Sequence, residues 1–253
     1  MAQYTTEAIV LGVHNWGAAD KMVWLLSPEH GKLKAAAYGC RRPKSPLAGG
    51  LQLFNRLDVS LNSGSQLDTL RQCTMKGRYR KVGEDLTVMA YAAFVAELTL
   101  ELLPEGMPQP DIYQRLLEIL AAFETRNPRL VALAAACQLL ELSGLQMSYV
   151  NCVHCGCVIE GKAFFAIDEG GAVCDSCAAS AAENLGEGNI RLIPYTAEQG
   201  GLLEQLTLLD WHTPPALRIG RDNLLAAEKL ILAYLYVVLG KRLKSLDFLH
   251  QLG

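Results

Sequence analysis

Up to Gly83 the apolar residues come in short runs that alternate with polar ones, and beyond it they recur at helical spacing. Residues 7–13, 22–26, 32–38, 51–61 and 66–75 are rich in Val, Ile, Leu, Thr and Tyr. Turn signals separate several of them, among them Ser27-Pro28-Glu29-His30-Gly31 and Asn62-Ser63-Gly64-Ser65. Five short strands with no helical period between them predict a small closed or partly open barrel of the OB type, which offers one sheet face and flexible loops to a nucleic-acid strand. A basic, Pro-containing loop, Gly39-Cys40-Arg41-Arg42-Pro43-Lys44-Ser45-Pro46, joins the third and fourth strands.

The rest of the chain reads as helices. Residues 84–103 begin with acids that suit a helix N-terminus and stop at Pro104-Glu105-Gly106. Residues 111–123 lie between Pro110 and Asn127-Pro128. Residues 128–142 are apolar around most of the circumference, as a central helix is. A cysteine-rich segment follows, then helices over 196–209 and 223–239 with Pro214-Pro215 as a break between them. The expected architecture is α+β and multidomain. An OB-type domain spans 1–81, a helical domain is built from 82–149 and 181–253, and a four-cysteine zinc-ribbon insertion spans 150–180. Neither helical half alone has much core to bury, which favours one helical domain over separate beads.

Composition narrows the class. The 253 residues are 51% apolar and 19% charged, which excludes a disordered chain. The longest strongly apolar stretch, residues 230–240, is about half the roughly 20 residues a bilayer span needs. The first residues carry no basic segment leading into an apolar one, so the expected compartment is the reducing cytoplasm. The net charge of −3 conceals an asymmetry: residues 1–81 hold 12 Lys and Arg against 5 Asp and Glu, leaving 11 against 21 in the remainder. A basic first third is a candidate for a polyanion, although a solvated surface has the same composition.

Five of eight cysteines fall between Cys152 and Cys177. The spacing Cys152-x2-Cys155-x18-Cys174-x2-Cys177 is that of a four-cysteine zinc ribbon, each Cys-x2-Cys turn directing two sulfurs to one side. A hairpin through residues 161–167 and the Gly170-Gly171 turn would bring the two knuckles together. Cys157 or His154 offers a local ligand swap. Four thiolates close the coordination sphere, so the zinc is expected to be structural. Cys40, Cys73 and Cys137 sit among apolar neighbours and are given no role.

No catalytic signature appears. There is no Gly-x4-Gly-Lys-Ser/Thr loop, no Gly-x-Gly-x-x-Gly after a strand, no His-Glu-x-x-His and no Gly-x-Ser-x-Gly, and the five histidines are scattered. No catalytic residue is assigned, and the chain is expected not to be an enzyme.

The order of parts, a basic barrel, helices, a four-cysteine insertion and more helices, resembles the bacterial RecO family of recombination mediators and DNA repair proteins. Four pieces carry the likeness. They are the basic loop with Leu51-Gln52-Leu53-Phe54 after it, the Ala and Glu-Leu pattern of residues 91–102, residues 138–145, and the knuckle Cys152-Val153-His154-Cys155-Gly156 that these lead into. The resemblance implies an N-terminal OB fold, binding of single- and double-stranded DNA, and annealing of complementary strands without ATP. It implies RecR and, in some lineages, RecF as partners. It also implies contact with the C-terminal tail of single-strand DNA-binding protein, and through it the loading of RecA. Some members lack the cysteines, which fits a structural zinc.

Carried over by position, Arg41, Arg42 and Lys44 contact phosphates, helped by Lys32, Lys34, Arg78, Arg80 and Lys81. Each is equally readable as a solvated charge. Tyr38 and Phe54 are candidates for base stacking and equally for the core. Lys241, Arg242 and Lys244 would surround the acidic tail, or simply suit a helix C-terminus. The competing reading is a non-catalytic zinc-containing adaptor whose barrel binds protein or RNA.

Overall fold

The computed structural model describes residues 2–184, 191–213 and 219–252. The Pro214-Pro215 break lies outside them. The chain divides into two compact units, Met1–Ala132 with Lys244–Gly253 and Leu133–Leu243.

In the first unit β1 (Gln3–Trp16), β2 (Asp20–Ser27), β3 (Gly31–Ala37), β4 (Arg56–Asn62) and β5 (Asp68–Gly77) form a closed barrel in the order β1-β2-β3-β5-β4. All pairings are antiparallel except β3 with β5, which is parallel. The interior follows the pleat. Val10, Leu25 and Ala35 point inward together with Leu57, Val59 and Leu61, while the residues between them face out. Between β2 and β3, Gly31 has φ +64°, and a Cβ there would lie 1.7 Å from the Met107 carbonyl oxygen, so this turn accepts only glycine.

The fourth strand starts later than its apolar run. Residues 51–55 lead into it without regular strand geometry. They are tied to β1 just beyond its pairing with β4, Val10 N–H donating to Asn55 O at 3.0 Å and Phe54 N–H to Val10 O at 2.8 Å. Leu51 and Phe54 are still buried, Phe54 with a left-handed φ of 66°.

The run at 84–103 is the helix α2 (Leu86–Leu102), preceded by a short helix, α1 (Arg80–Glu84), that starts before it. Asp85 divides them. Its carboxylate accepts from Thr87 N–H at 2.9 Å and Val88 N–H at 3.1 Å, an N-cap that needs the extended backbone it adopts (φ −106°, ψ 118°). Pro110 is the first residue of α3 (Pro110–Phe123) rather than a residue before it, since the first helical position has no N–H to lose. α4 (Pro128–Leu142) contains the boundary between the units and is buried at every position from 131 to 140.

The second unit holds β6 (Lys162–Ala166), β7 (Gly171–Cys174), α5 (Asp175–Asn184), β8 (Leu192–Thr196), α6 (Ala197–Thr207) and α7 (Arg221–Leu239). The hairpin β6–β7 lies where the glycines place it. β8 adds to it as a third strand in the order β7-β6-β8. Thr196 then caps α6 in a capping box with Gln199. Within the unit, Trp211 Nε1 donates to Gln138 Oε1 at 2.7 Å and Gln138 Nε2 to Leu209 O at 2.8 Å, so a buried amide is satisfied on both sides. α8 (Ser245–Leu252) returns to the first unit, where Glu97 of α2 accepts the N–H groups of Lys244 and Ser245 at 2.9 and 2.8 Å. Among the described residues no helix is long and apolar enough to cross a membrane.

Candidate metal centre and basic loop

The four cysteines reach one point from two local structures. Cys152 and Cys155 sit on a turn closed by Gly156 N–H to Cys152 O at 2.9 Å and Cys152 N–H to Cys157 O at 2.8 Å. Cys174 ends β7, and Cys177 lies in the first turn of α5. Val153 N–H to Ala172 O, at 2.9 Å, ties the first knuckle to β7. The Sγ atoms of Cys152, Cys155, Cys174 and Cys177 all lie within 4.8 Å of one another, a group able to hold a metal ion.

The donor set fits zinc. Tetrahedral Zn–S bonds of about 2.3 Å put sulfurs about 3.8 Å apart. Cys155 and Cys174 Sγ are 3.8 Å apart. The Ser176 hydroxyl, followed by the Cys177 N–H, holds the Cys174 thiol down to about 6, so this ligand gives up its proton readily. Among the described residues the group includes neither alternative ligand. His154 Nε2 is 2.7 Å from Glu169 Oε2, and Cys157 lies outside the four. The remaining cysteines are core residues, and burial pushes the Cys137 thiol up to about 12.

The basic loop is built from alternating anchors and cations. Cys40, Leu47 and Leu51 are buried in the barrel core, while Arg41, Arg42 and Lys44 between the first two are exposed. The backbone is fixed at both neighbours. Arg41 N–H donates to Ala19 O at 2.9 Å, Gly39 N–H to Asp20 Oδ1 at 2.6 Å, and Ser45 N–H to Arg42 O at 3.0 Å. Lys44 has a φ of 137°, a strained value for a residue with a side chain. Among the described residues no carboxylate is within salt-bridge distance of Arg41, Arg42 or Lys44.

The other sequence candidates are placed differently. Lys32 Nζ donates to Leu100 O near the end of α2 at 2.9 Å, and Lys34 Nζ lies 5.7 Å from the ring centre of Trp24. Arg80 pairs with Glu84 one turn on, at 2.9 Å, whereas Arg78 and Lys81 are exposed. Lys241 and Arg242 follow Gly240, the left-handed cap of α7, and Lys244 precedes α8. Tyr38 is 55% exposed but Phe54 only 3%, so Phe54 is a core residue and its stacking alternative falls. Sequence reasoning missed Trp16, whose ring centre is 5.9 Å from that of Tyr38. Its signal was an aromatic residue just before the Gly17 turn, inside the basic third.

Barrel, cation-bearing loop and four-cysteine cluster together define an α+β protein whose first unit presents cations with no carboxylate partner among the described residues and whose second presents a group able to hold a metal ion. Residues 1–79 match the family described as "Recombination protein O N terminal", and residues 83–247 that described as "Recombination protein O C terminal". The chain is 37% identical over its full length to the "DNA repair protein RecO" of Symbiobacterium thermophilum, covering 98% of that protein. It is 34% identical to that of Pelotomaculum thermopropionicum, covering 96%, and 32% identical to that of Myxococcus xanthus, covering 99%, again over all of this chain. The chain belongs to the RecO family, and its role lies in DNA repair and recombination.

Proposed function

We propose that the protein is an ATP-independent DNA-binding and strand-annealing mediator that helps load RecA onto DNA coated by single-strand DNA-binding protein. The observation that carries this reading is the loop at Arg41, Arg42 and Lys44, held rigid by buried anchors and left without carboxylate partners. Preorganised cations bind a polyanion with little ordering cost. Arginine forks onto phosphate oxygens with several donors. Neutralising phosphates on two strands lowers their mutual repulsion, and base pairing then needs no nucleotide hydrolysis.

The barrel, in this reading, is of the OB type, to which the strand order β1-β2-β3-β5-β4 conforms. Cys152, Cys155, Cys174 and Cys177 hold a structural zinc that stabilises the ribbon and performs no chemistry, since four thiolates leave no open position. The protein acts without catalysis, in the bacterial cytoplasm at the nucleoid. Its protein partners are RecR, RecF in some lineages, and the acidic tail of single-strand DNA-binding protein, the last through Lys241, Arg242 and Lys244.

The test is annealing of complementary oligonucleotides precoated with single-strand DNA-binding protein, in the absence of nucleotide. The wild type is expected to accelerate annealing, and Arg41→Ala/Arg42→Ala/Lys44→Ala to lose at least 10-fold of that acceleration. An unaccelerated reaction with the wild type would overturn the mediator reading in favour of an adaptor.

A further inference from the structure

We infer that Trp16 and Tyr38 form a stacking platform for unpaired nucleobases beside the basic loop, so that this face of the barrel prefers single-stranded to double-stranded DNA. The inference rests on the DNA-binding reading above and adds to it the feature that discriminates between the two forms.

Trp16 closes β1 and Tyr38 follows β3. The two residues are 40% and 55% exposed, and their ring centres lie 5.9 Å apart with planes at 42°. Two large aromatic side chains left in water at adjoining strand ends gain little from folding and are available to a flat partner. The same backbone that carries them fixes the cations. Gly39 and Arg41 hydrogen-bond to Asp20 and Ala19, in and beside the turn that follows Trp16. Tyr38 also lines a cleft of about 480 Å³ with Arg42, Lys44 and Pro43. A π-face and two cations with no carboxylate partner among the described residues therefore meet in one open surface cleft.

Phosphates are accessible on both forms of DNA, so the cations alone bind either. Base faces are accessible only where the strand is unpaired, and every base has one, so stacking selects single strands without selecting sequence. In annealing, a platform of this kind holds the bases of one strand apart while its phosphates are neutralised.

The experiment compares anisotropy titrations of oligo-dT and of a duplex of equal length at fixed salt. Trp16→Ala/Tyr38→Ala is expected to lose about 10-fold or more in affinity for oligo-dT, with duplex affinity within twofold of wild type and Tyr38→Phe restoring the loss at that position. Arg42→Ala/Lys44→Ala is expected to lose affinity for both. Equal oligo-dT affinity in the aromatic variant, or an equal loss on both DNAs, would overturn the platform, and the cation variant's loss would leave the DNA-binding reading standing. Wild type binding neither DNA at low salt would overturn both. Should the aromatic variant fail to fold by circular dichroism, wild-type tryptophan emission decides. Quenching by oligo-dT but not by duplex supports the platform, and equal emission changes with both overturn it.

Discussion

Glu7 is the most heavily engaged side chain in the barrel wall. It ion-pairs with Arg56, with Lys76 Nζ at 2.8 Å, and accepts from the Tyr113 hydroxyl of α3 at 2.5 Å. Its side chain is only 19% exposed. Arg56 first, then Lys76 and Tyr113, hold its carboxyl at about 2 against the opposition of burial, while burial and the Glu7 carboxylate push the Tyr113 hydroxyl up. A folded-state value below the unfolded one contributes stability that is complete above the ordinary carboxylate range and is lost as pH falls toward about 2. Glu7→Gln is expected to cost about 1–3 kcal/mol at pH 7 and to flatten the fall in stability between roughly pH 4.5 and pH 2, both read from urea melts across pH. Nothing in the sequence pointed to this cluster, because Glu7 and Tyr113 are 106 positions apart and their meeting depends on α3 packing beside the barrel. Phe54 was ambiguous for a related reason. An aromatic residue in a basic segment suits either a base or a core, and its burial goes with a left-handed backbone and a hydrogen bond to Val10 that no sequence pattern announces.

At the level of elements, the four-cysteine segment is where the proposed zinc bears on stability. The strands β6, β7 and β8 have only five, four and five residues, and the knuckles bury only Cys152 among the four cysteines. Structural zinc in small peptides supplies about 10–16 kcal/mol of apparent binding energy. Even about 3 kcal/mol of metal-linked stability corresponds to a fall of roughly 6–12 °C in melting midpoint for a chain of this size. Purified protein is expected to contain one zinc per chain by elemental analysis. Cys155→Ser or a strong chelator is expected to lower the midpoint by that amount while leaving affinity for DNA unchanged. The cysteine spacing made the four-cysteine cluster legible because ligand geometry dictates such spacing locally. The third strand, β8, was not legible. It pairs with β6 across a long connection, and its five residues include Pro194, which argues against a strand in sequence yet is tolerated at the sheet edge.

Across the whole molecule, the clearest division in sequence was charge and period together. The alternating, basic first third forms the closed barrel, which ends with β5 at Gly77, and the helices begin at Arg80, a little before the change of period at Gly83. Which cations remain available did not follow from composition. Lys32, Lys34, Arg80 and Lys76 look like Arg41 and Arg42 in sequence, but a carbonyl, an indole ring and nearby carboxylates engage them. Among the described residues, the fold therefore gathers three exposed cations without carboxylate partners at the β3–β4 loop.

The direct measurement is the salt dependence of binding to a single-stranded oligonucleotide, followed by anisotropy from low to physiological salt without nucleotide. Each phosphate contact contributes a slope of about −0.7 in log affinity against log salt, so five contacts give roughly −3.5. Arg41→Ala/Arg42→Ala/Lys44→Ala should make that slope shallower by about 2. A wild-type slope near zero, or one that the triple substitution leaves unchanged, would contradict the account.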